Sequence, residues 1–443
     1  MKSGTFKGGV HPWDGKELSK DAPVRVLEPG AELVYPMSQH IGAPAVPCVK
    51  KGDRVLKGQR VGEASGFMSA NIHASVSGKV KAVEERLTAG GTKVMSVVVT
   101  NDGEYEEALP LETSETGEKE KIRDLIRQAG VVGMGGATFP VHVKLSPKSD
   151  DAIEYVILNG AECEPYLTSD YRRMLDDAEK IVRGLEIILA LFGKAKGIIA
   201  IEDNKPDCVK RMTDAANGHD RITVVPVKTK YPQGGERTLI FATTGRKINS
   251  DMLPSDVGCI VNNVNTAYEV YRAVDERRPL TERLFTVTGD AAATPGNFLV
   301  PLGMSHKEVA EQAGGFNCEP EKLISGGPMM GVAMYTLDTP VARGTGSILA
   351  YKEDPVKLAE QQKTNCINCG RCVQVCPGRV IPSRLADFAL QKNRAMFEKY
   401  YGMECCECGC CSFICPAKRD LTQSIKNYRR EILALRKAER AKK

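Results

Sequence analysis

The sequence predicts a multidomain α/β protein that ends in a small helical module organised by cysteine. Three observations carry this expectation. At 443 residues the chain is too long for one ordinary core, so three or four domains are expected. Valines punctuated by glycine turns over residues 30–100 read as all-β, whereas residues 118–280 alternate strand and helix patterns. Most of the 15 cysteines crowd between Cys366 and Cys415.

Composition narrows the class. Hydrophobic residues at 42% and charged residues at 26% are ordinary for a soluble globular protein. A net charge of +5 does not point to a nucleic-acid binder. The positive excess sits at the end, where Lys426 to Lys443 hold eight Lys/Arg and two Glu. Ile432, Leu433 and Leu435 lie on that amphipathic stretch, which reads either as a docking helix for a partner or anionic membrane face, or as a solvated final helix. No apolar run approaches the ~20 residues of a membrane span; Ile187 to Phe192 is broken by Gly193 and Lys194. Lys2, Lys7, His11 and Asp14 interrupt any signal-peptide core. A soluble protein in a reducing compartment is expected, and there clustered cysteines read as metal binding rather than disulfides.

The N-terminal unit, residues 1–105, carries Val49-Lys-Lys-Gly-Asp-Arg-Val and Ala74-Ser-Val-Ser-Gly-Lys-Val. These resemble the half-motifs of lipoyl and biotinyl domains, which implies a barrel-sandwich hybrid. The intervening hairpin, Gly66 to His73, contains no carrier lysine, so a structural or docking role is expected, with His73 a surface or hairpin residue. Glu104, Glu106, Glu107, Glu112, Glu115, Glu118 and Glu120 mark a solvated linker. A helix follows, with Ile122, Leu125, Ile126 and Ala129 on one face and Gly130 at its end.

Residues 118–280 form the second unit. The loop Gly133-Met-Gly135-Gly136-Ala-Thr-Phe-Pro-Val-His-Val-Lys144 lets backbone N–H groups approach a phosphate or flat ring, with Lys144 supplying charge. A buried-strand pattern then runs into Asn159-Gly-Ala-Glu162-Cys-Glu164, placing carboxylates at a strand's C-terminal end, where open α/β sheets bind ligands. Gly197 to Ile201 and Ile222 to Val227 read as further parallel strands. Tyr231-Pro-Gln-Gly-Gly-Glu236 opens a helix, and Val261-Asn262-Asn263-Val-Asn-Thr266 ends another strand. Four polar loops at strand ends on one sheet make one site, suited to the hydroxyls and ring nitrogens of a nucleotide.

These segments resemble the flavin and NADH site of the 51-kDa-type subunit of respiratory complex I. That family reads G-R-G-G-A-G-F-P-T-G-x-K, N-A-D-E-x-E-P and V-N-N-V-x-T. This chain has Met134, Thr138 and Gly160-Ala161 where the family has Arg, Gly and Ala-Asp. The resemblance implies a Rossmann-like domain with non-covalent FMN on Gly133, Gly135 and Gly136. Lys144 is then near the phosphate, Glu162, Glu164, Asn262, Asn263 and Thr266 contact the ring and ribityl chain, and Asn159 and Glu236 complete the cofactor-binding set. NAD(H) is then the substrate. Residues 281–352 resemble the same subunit's soluble-ligand-binding β-grasp domain.

Residues 353–443 hold the cysteine module. Cys366-x2-Cys369-x2-Cys372-x3-Cys376-Pro377 and Cys405-x2-Cys408-x2-Cys411-x3-Cys415-Pro416 share the bacterial ferredoxin spacing. Three thiolates separated by two residues each wrap a loop round one corner of a cubane, and the fourth, past a turn, reaches the neighbouring cluster. Two [4Fe–4S] clusters are therefore expected, one on Cys366, Cys369, Cys372 and Cys415, the other on Cys376, Cys405, Cys408 and Cys411. Zinc sites instead pair their cysteines. Cys406 and Cys410 are off-pattern and read as bystanders or packing residues. Ile381 to Tyr400 reads as a helix pair between the runs.

The domain order resembles the C-subunit family of Rnf electron-transport complexes. It implies a peripheral NADH, FMN and iron–sulfur subunit on the cytoplasmic face of a membrane. Its partners are other members of the complex and, indirectly, ferredoxin, and ion movement is left to the membrane-embedded members. The alternatives are a soluble flavin and iron–sulfur reductase, such as a cobalamin reductase, or an electron-transfer scaffold that binds no nucleotide.

Overall fold

The computed structural model describes residues 4–441. At its centre lies a four-stranded, wholly parallel sheet in the order Ile222–Val227, Lys196–Glu202, Tyr155–Gly160, Cys259–Asn263. Its strands are runs of β-branched and aliphatic residues because both faces are covered. Val156, Leu158, Ile199 and Ile260 pack with the helices Glu118–Gln128, Ala178–Leu191 and Val264–Val274. Ile157, Ile198, Ala200 and Val261 pack on the opposite face with Leu239 and Ile240 of Glu236–Thr244. The chain steps outward from Tyr155–Gly160 through Lys196–Glu202 to Ile222–Val227, then crosses back to lay Cys259–Asn263 on the other flank. The strand order therefore reverses between Tyr155–Gly160 and Cys259–Asn263, which is where open α/β sheets leave a ligand crevice.

The barrel-sandwich is built of two small sheets. One runs Glu32–Pro36, Lys93–Asn101, Gly78–Leu87, Arg54–Val55; the other runs Val46–Pro47, Arg60–Glu63, Ile72–His73. Val55, Val61, Val76, Val80, Val97 and Val99 fill the space between them. His73 is not the surface residue expected from its place beside the hairpin. It pairs with Arg60 in the three-stranded sheet and is 3% exposed, turned towards Arg343 and Gln128 at the seam with the central domain. The exposed hydrophobic residues of the hairpin are Phe67 and Met68.

Residues 4–26 do not join this barrel. Lys228 donates from its amide to the Gly4 carbonyl at 2.9 Å, Val10 and Tyr231 exchange both backbone bonds, and the Gly9 amide reaches the Val375 carbonyl at 2.8 Å. Arg25–Val26 then pairs in parallel with Gly296–Pro301. The segment is a strap across three other parts of the chain. Gly8 permits it, with φ +90° and a backbone so close to the Val375 carbonyl that a Cβ would lie 2.9 Å from its oxygen.

The third sheet has six strands, in the order Arg25–Val26, Gly296–Pro301, Glu282–Thr288, Ser347–Tyr351, Lys322–Ser325, Val332–Met334. Its helix, His306–Gln312, starts with a capping box between Ser305 and Glu308. His306 itself is fully buried against Phe285, with Nδ1 2.7 Å from the Thr339 carbonyl oxygen and no partner for Nε2 among the described residues. Burial depresses its pKa from 6.5 to about 4. Below pH 6.5 the unfolded chain takes up a proton here that the native protein refuses until about pH 4. Stability contributed by the neutral ring is therefore complete above that window and lost as pH falls through it. At about 1.4 kcal/mol per pH unit the loss is about 3 kcal/mol. His306→Asn should flatten the fall in thermal midpoint between pH 7 and pH 4 relative to the parent, and parallel curves would remove His306 from the account.

The C-terminal module packs Val380, Leu385, Ala389, Phe397, Ile425, Tyr428 and Ile432 into its own core. The helix pair is Pro382–Leu390 and Arg394–Lys399, and the basic helix is Leu421–Ala441. Ile432 faces inward, which separates it from Leu433 and Leu435, both exposed on the basic stretch. No helix among the described residues is long and apolar enough to cross a membrane.

Candidate functional site

The two cysteine runs adopt the same loop twice. Asn368 and Glu407 each stand two residues past the first cysteine with φ 56°, and Gly370 and Gly409 follow in the left-handed region. Each glycine starts a one-turn helix, Arg371–Gln374 and Cys410–Phe413. Left-handed residues at matching places curl the backbone so that the thiols turn inward. One cavity is lined by Cys376 together with Cys405, Cys408 and Cys411, and a second by Cys366, Cys369 and Cys372 together with Cys415. The last cysteine of each run thus faces the loop of the other. Among the described residues no three His, Cys, Asp or Glu side chains converge on a single-ion site; the thiols instead ring cavities.

Burial pushes the Cys405 and Cys411 thiols up to about 12 and raises Cys376 as well. Only a strongly cationic metal core reverses such a penalty, because the ligand must be thiolate. Four soft donors around an apolar space fit an iron–sulfur cluster. Cys406 and Cys410 also edge the first cavity. Cys410 is fully buried, its Sγ 3.7 Å from the Tyr231 carbonyl oxygen, so it packs the module against the central domain.

At the sheet's reversal the glycine-rich loop lies against the end of Cys259–Asn263. It is pinned by Gly133 N–H to Phe139 carbonyl at 2.9 Å and by Met134 N–H to Thr266 Oγ1 at 3.0 Å. Gly135 lies so close to Asn263 that a Cβ would stand 2.7 Å from Asn263 Nδ2, while a Cβ at Gly136 would meet nothing. The backbone of Gly135 to Ala137 is exposed and free to receive a ligand. Lys144 holds its Nζ 2.8 Å from the Val261 carbonyl and 3.7 Å from Glu236, and burial lowers its pKa. Asn262 is 3% exposed and its Nδ2 has no partner among the described residues. A bare glycine backbone, a desolvated lysine and an orphaned amide are groups that suit a phosphorylated, hydrogen-bonding cofactor.

Other expected residues hold the walls. Asn159 donates to the Gly234 carbonyl at 2.8 Å. Asn263 caps Val264–Val274 and donates to Asp170 at 2.7 Å. Glu162 accepts from the amides of Asp170 and Tyr171, which start Ser169–Asp176, and lies 3.9 Å from Lys16. Burial lifts this carboxyl above its usual range while Lys16 pulls it back. Glu164 Oε1 accepts from the Met329 and Met330 amides at 2.7 and 3.0 Å, tying the strand end to the third sheet. Glu236 stands in the first turn of its helix, partly exposed.

The structure adds residues that the sequence did not single out. Asp170 clamps both Asn263 and Asn265, and the strap's Lys16 donates to the carbonyls of Glu164 and Leu167 at 3.1 and 2.5 Å. Tyr231, Cys163, Met329, Cys408 and Cys410 pack into one buried group. Beside it Glu404 receives Arg237 at 2.9 Å and the Ser250 amide at 3.0 Å. The Cys405–Cys411 loop is therefore docked at the ligand end of the central sheet, whereas Cys366 and Cys369 are exposed.

Family models match four segments: the Nuo51 FMN-binding domain over residues 126–272, the RnfC barrel sandwich hybrid domain over 4–104, the SLBB domain over 284–333 and the 4Fe-4S binding domain over 361–381. The chain is 46% identical over 440 residues to the C subunit of the Na(+)-translocating ferredoxin:NAD(+) oxidoreductase complex of Acetobacterium woodii, covering 99% of both chains. It is 42% identical to the proton-translocating counterpart of Clostridium ljungdahlii, over 99% of this chain and 96% of that one. It is 40% identical over 392 residues to the C subunit of the ion-translocating oxidoreductase complex of Rhodobacter capsulatus, covering 87% and 75%. Among solved structures, an NAD+-reducing [NiFe]-hydrogenase in the H2-reduced state matches with TM-score 0.50 at 20% identity, over 71% of this chain and 61% of that one, a likeness of fold.

Proposed function

The chain belongs to the C-subunit family of ion-translocating ferredoxin:NAD(+) oxidoreductase complexes, and from that membership we propose how its parts work. It is the nicotinamide-side oxidoreductase component, with FMN in the crevice and two [4Fe–4S] clusters in the cysteine cavities. Flavin supplies the step between two-electron hydride exchange and one-electron transfer when bound. The residues of the chain do the rest. Gly135, Gly136 and Lys144 receive the phosphate, and Asn262 offers its free amide to the ring or ribityl chain. Asn159, Asn263, Thr266 and Glu162 keep the crevice walls in register, and Glu164 holds the third sheet against them.

The observation that carries this reading is the pair of crossed cysteine quartets, with one of them packed against the ligand end of the sheet. Cys376, Cys405, Cys408 and Cys411 would hold the cluster nearer the crevice, and Cys366, Cys369, Cys372 and Cys415 the outward one, with the exposed Cys366 and Cys369 on the side open to a partner in the complex; the two clusters would supply one-electron transfer between crevice and partner. Direction is set by the partners' potentials. A peripheral place on the cytoplasmic face, and a β-grasp identity for the sheet carrying His306–Gln312, are part of the same proposal, supported by the absence of a membrane-crossing helix among the described residues and by the SLBB match. Similarity along 99% of both chains favours this over a free-standing reductase.

The test is composition of the intact protein prepared without oxygen. About eight iron atoms and one releasable FMN per chain are expected, with the flavin bleached by NADH. About four iron atoms, or no flavin, sinks the reading.

A further inference from the structure

The glycine-rich loop is tied to the third sheet at both of its ends. At the first, Met134 is buried in the same apolar core as Phe285 and Ile348, and its carbonyl accepts from Arg283 Nη2 at 3.4 Å. At the second, Thr138 holds the left-handed conformation, φ 50°. A branched side chain in that region costs of order 1–3 kcal/mol and persists only where its surroundings fix it.

What fixes it is the turn from Ala342 to Gly346. A Cβ on Gly344 would stand 2.9 Å from Thr138 Cγ2 and 3.9 Å from its Oγ1, and would meet nothing else within 4 Å. Gly344 is not left-handed, so closeness to the threonine methyl, rather than its own backbone conformation, is what calls for glycine here. The turn itself is held on several sides. Ala342 donates its amide to Thr345 Oγ1 at 2.8 Å, Arg343 its amide to Gln39 Oε1 at 3.1 Å, and Thr286 its amide to the Gly346 carbonyl at 3.1 Å. Arg283, 5% exposed, also donates to the Arg343 carbonyl, so one guanidinium joins the turn to the loop.

Building on the flavin reading above, we infer that this turn is the seat of the flavin loop. The Thr138 methyl on bare Gly344 and the Arg283 guanidinium on the Met134 carbonyl hold the loop's two ends. The amides of Gly135 and Gly136 between them are thereby set for the phosphate before it arrives, which spares the ordering cost of binding. Thr138, Gly344 and Arg283 are positioning residues. The strain at Thr138 makes the seat necessary, because an unseated threonine relaxes out of the left-handed region and turns the peptide planes beside it. A branched side chain is stiff at χ1, so a new methyl on Gly344 moves the loop as well as the threonine.

Equilibrium dialysis of the full chain against FMN, with visible circular dichroism of the bound flavin, tests this in four proteins: the parent, Thr138→Ser, Gly344→Ala and the double variant. A parent that holds no FMN ends the flavin reading before any variant is compared. With FMN bound, each single variant should weaken it about tenfold and alter the flavin's dichroism, Thr138→Ser by removing the seated methyl and Gly344→Ala by crowding it. The double variant moves the methyl across the same contact and should return both readings to within about twofold of the parent. Parent affinity in either single variant, or losses that add in the double, overturn the inference. Should Gly344→Ala fail to fold, the remaining pair decides: the double must bind FMN more tightly than Thr138→Ser, and equal or weaker binding refutes the seat.

Discussion

Cys376→Ala should cost the protein the cluster whose other three ligands lie on the second run, and spare the cluster of its own run. The reason is in the two cavities: Cys376 closes the ring of Cys405, Cys408 and Cys411, while Cys366, Cys369 and Cys372 are completed by Cys415. Iron should fall from about eight to about four atoms per chain, since a cubane lacking one of four thiolates in a mostly apolar cavity has no replacement charge. Cys415→Ala should do the reverse, removing the outward cluster. Each variant should keep its flavin, because neither thiol touches the crevice. Loss of the first-run cluster on Cys376→Ala would mean that each run holds its own cluster. Cys406 and Cys410, which edge the same cavity, are the alternative thiols, and retention of all eight iron atoms would assign one of them the ligand's place.

Gly135→Val should release the flavin. A Cβ there stands 2.7 Å from Asn263 Nδ2 and 2.9 Å from its Cβ and Cγ. Asn263 has nowhere to go: it caps the Val264–Val274 helix and is bonded to Asp170. The loop must lift instead, parting Met134 from Thr266, and overpacking of this kind costs ~1–3 kcal/mol. Flavin affinity should fall more than tenfold and the thermal midpoint should fall with it. Gly136→Val separates the two effects, because its side chain enters open space. It should lose flavin to a similar extent with the fold's stability unchanged. Normal flavin retention by Gly136→Val would move the cofactor off this loop. Equilibrium dialysis against FMN, beside thermal unfolding, reads both.

The cysteine module was legible because its chemistry is written in local spacing. Four thiols at fixed offsets constrain one loop, and the matching left-handed residues at Asn368, Gly370, Glu407 and Gly409 lie within the same few positions. The central sheet was legible for a similar reason, since strands buried on both faces leave unbroken apolar runs. Long-range pairing was not legible. Glu162 and Glu164 have the chemistry of ligand contacts, yet the fold binds them to backbone amides, those of Met329 and Met330 lying 165 and 166 residues away in Glu164's case. Nothing near Lys16 announces that its ammonium will close over a loop 148 residues downstream. The strap is invisible in the pattern because its strand, Arg25–Val26, is two residues long and bonded to a distant edge. His73 was misplaced because alternation in so short a strand does not tell which face meets a neighbouring domain.

Rapid freezing of Cys376→Ala after mixing with NADH tests the order crevice, nearer cluster, outward cluster. The flavin should be reduced as in the parent, while the surviving Cys366, Cys369, Cys372 and Cys415 cluster stays oxidised over the interval in which the parent reduces both. Reduction of that surviving cluster at the parent's rate would contradict the account, because electrons would then reach the outward site without passing the one beside Tyr231.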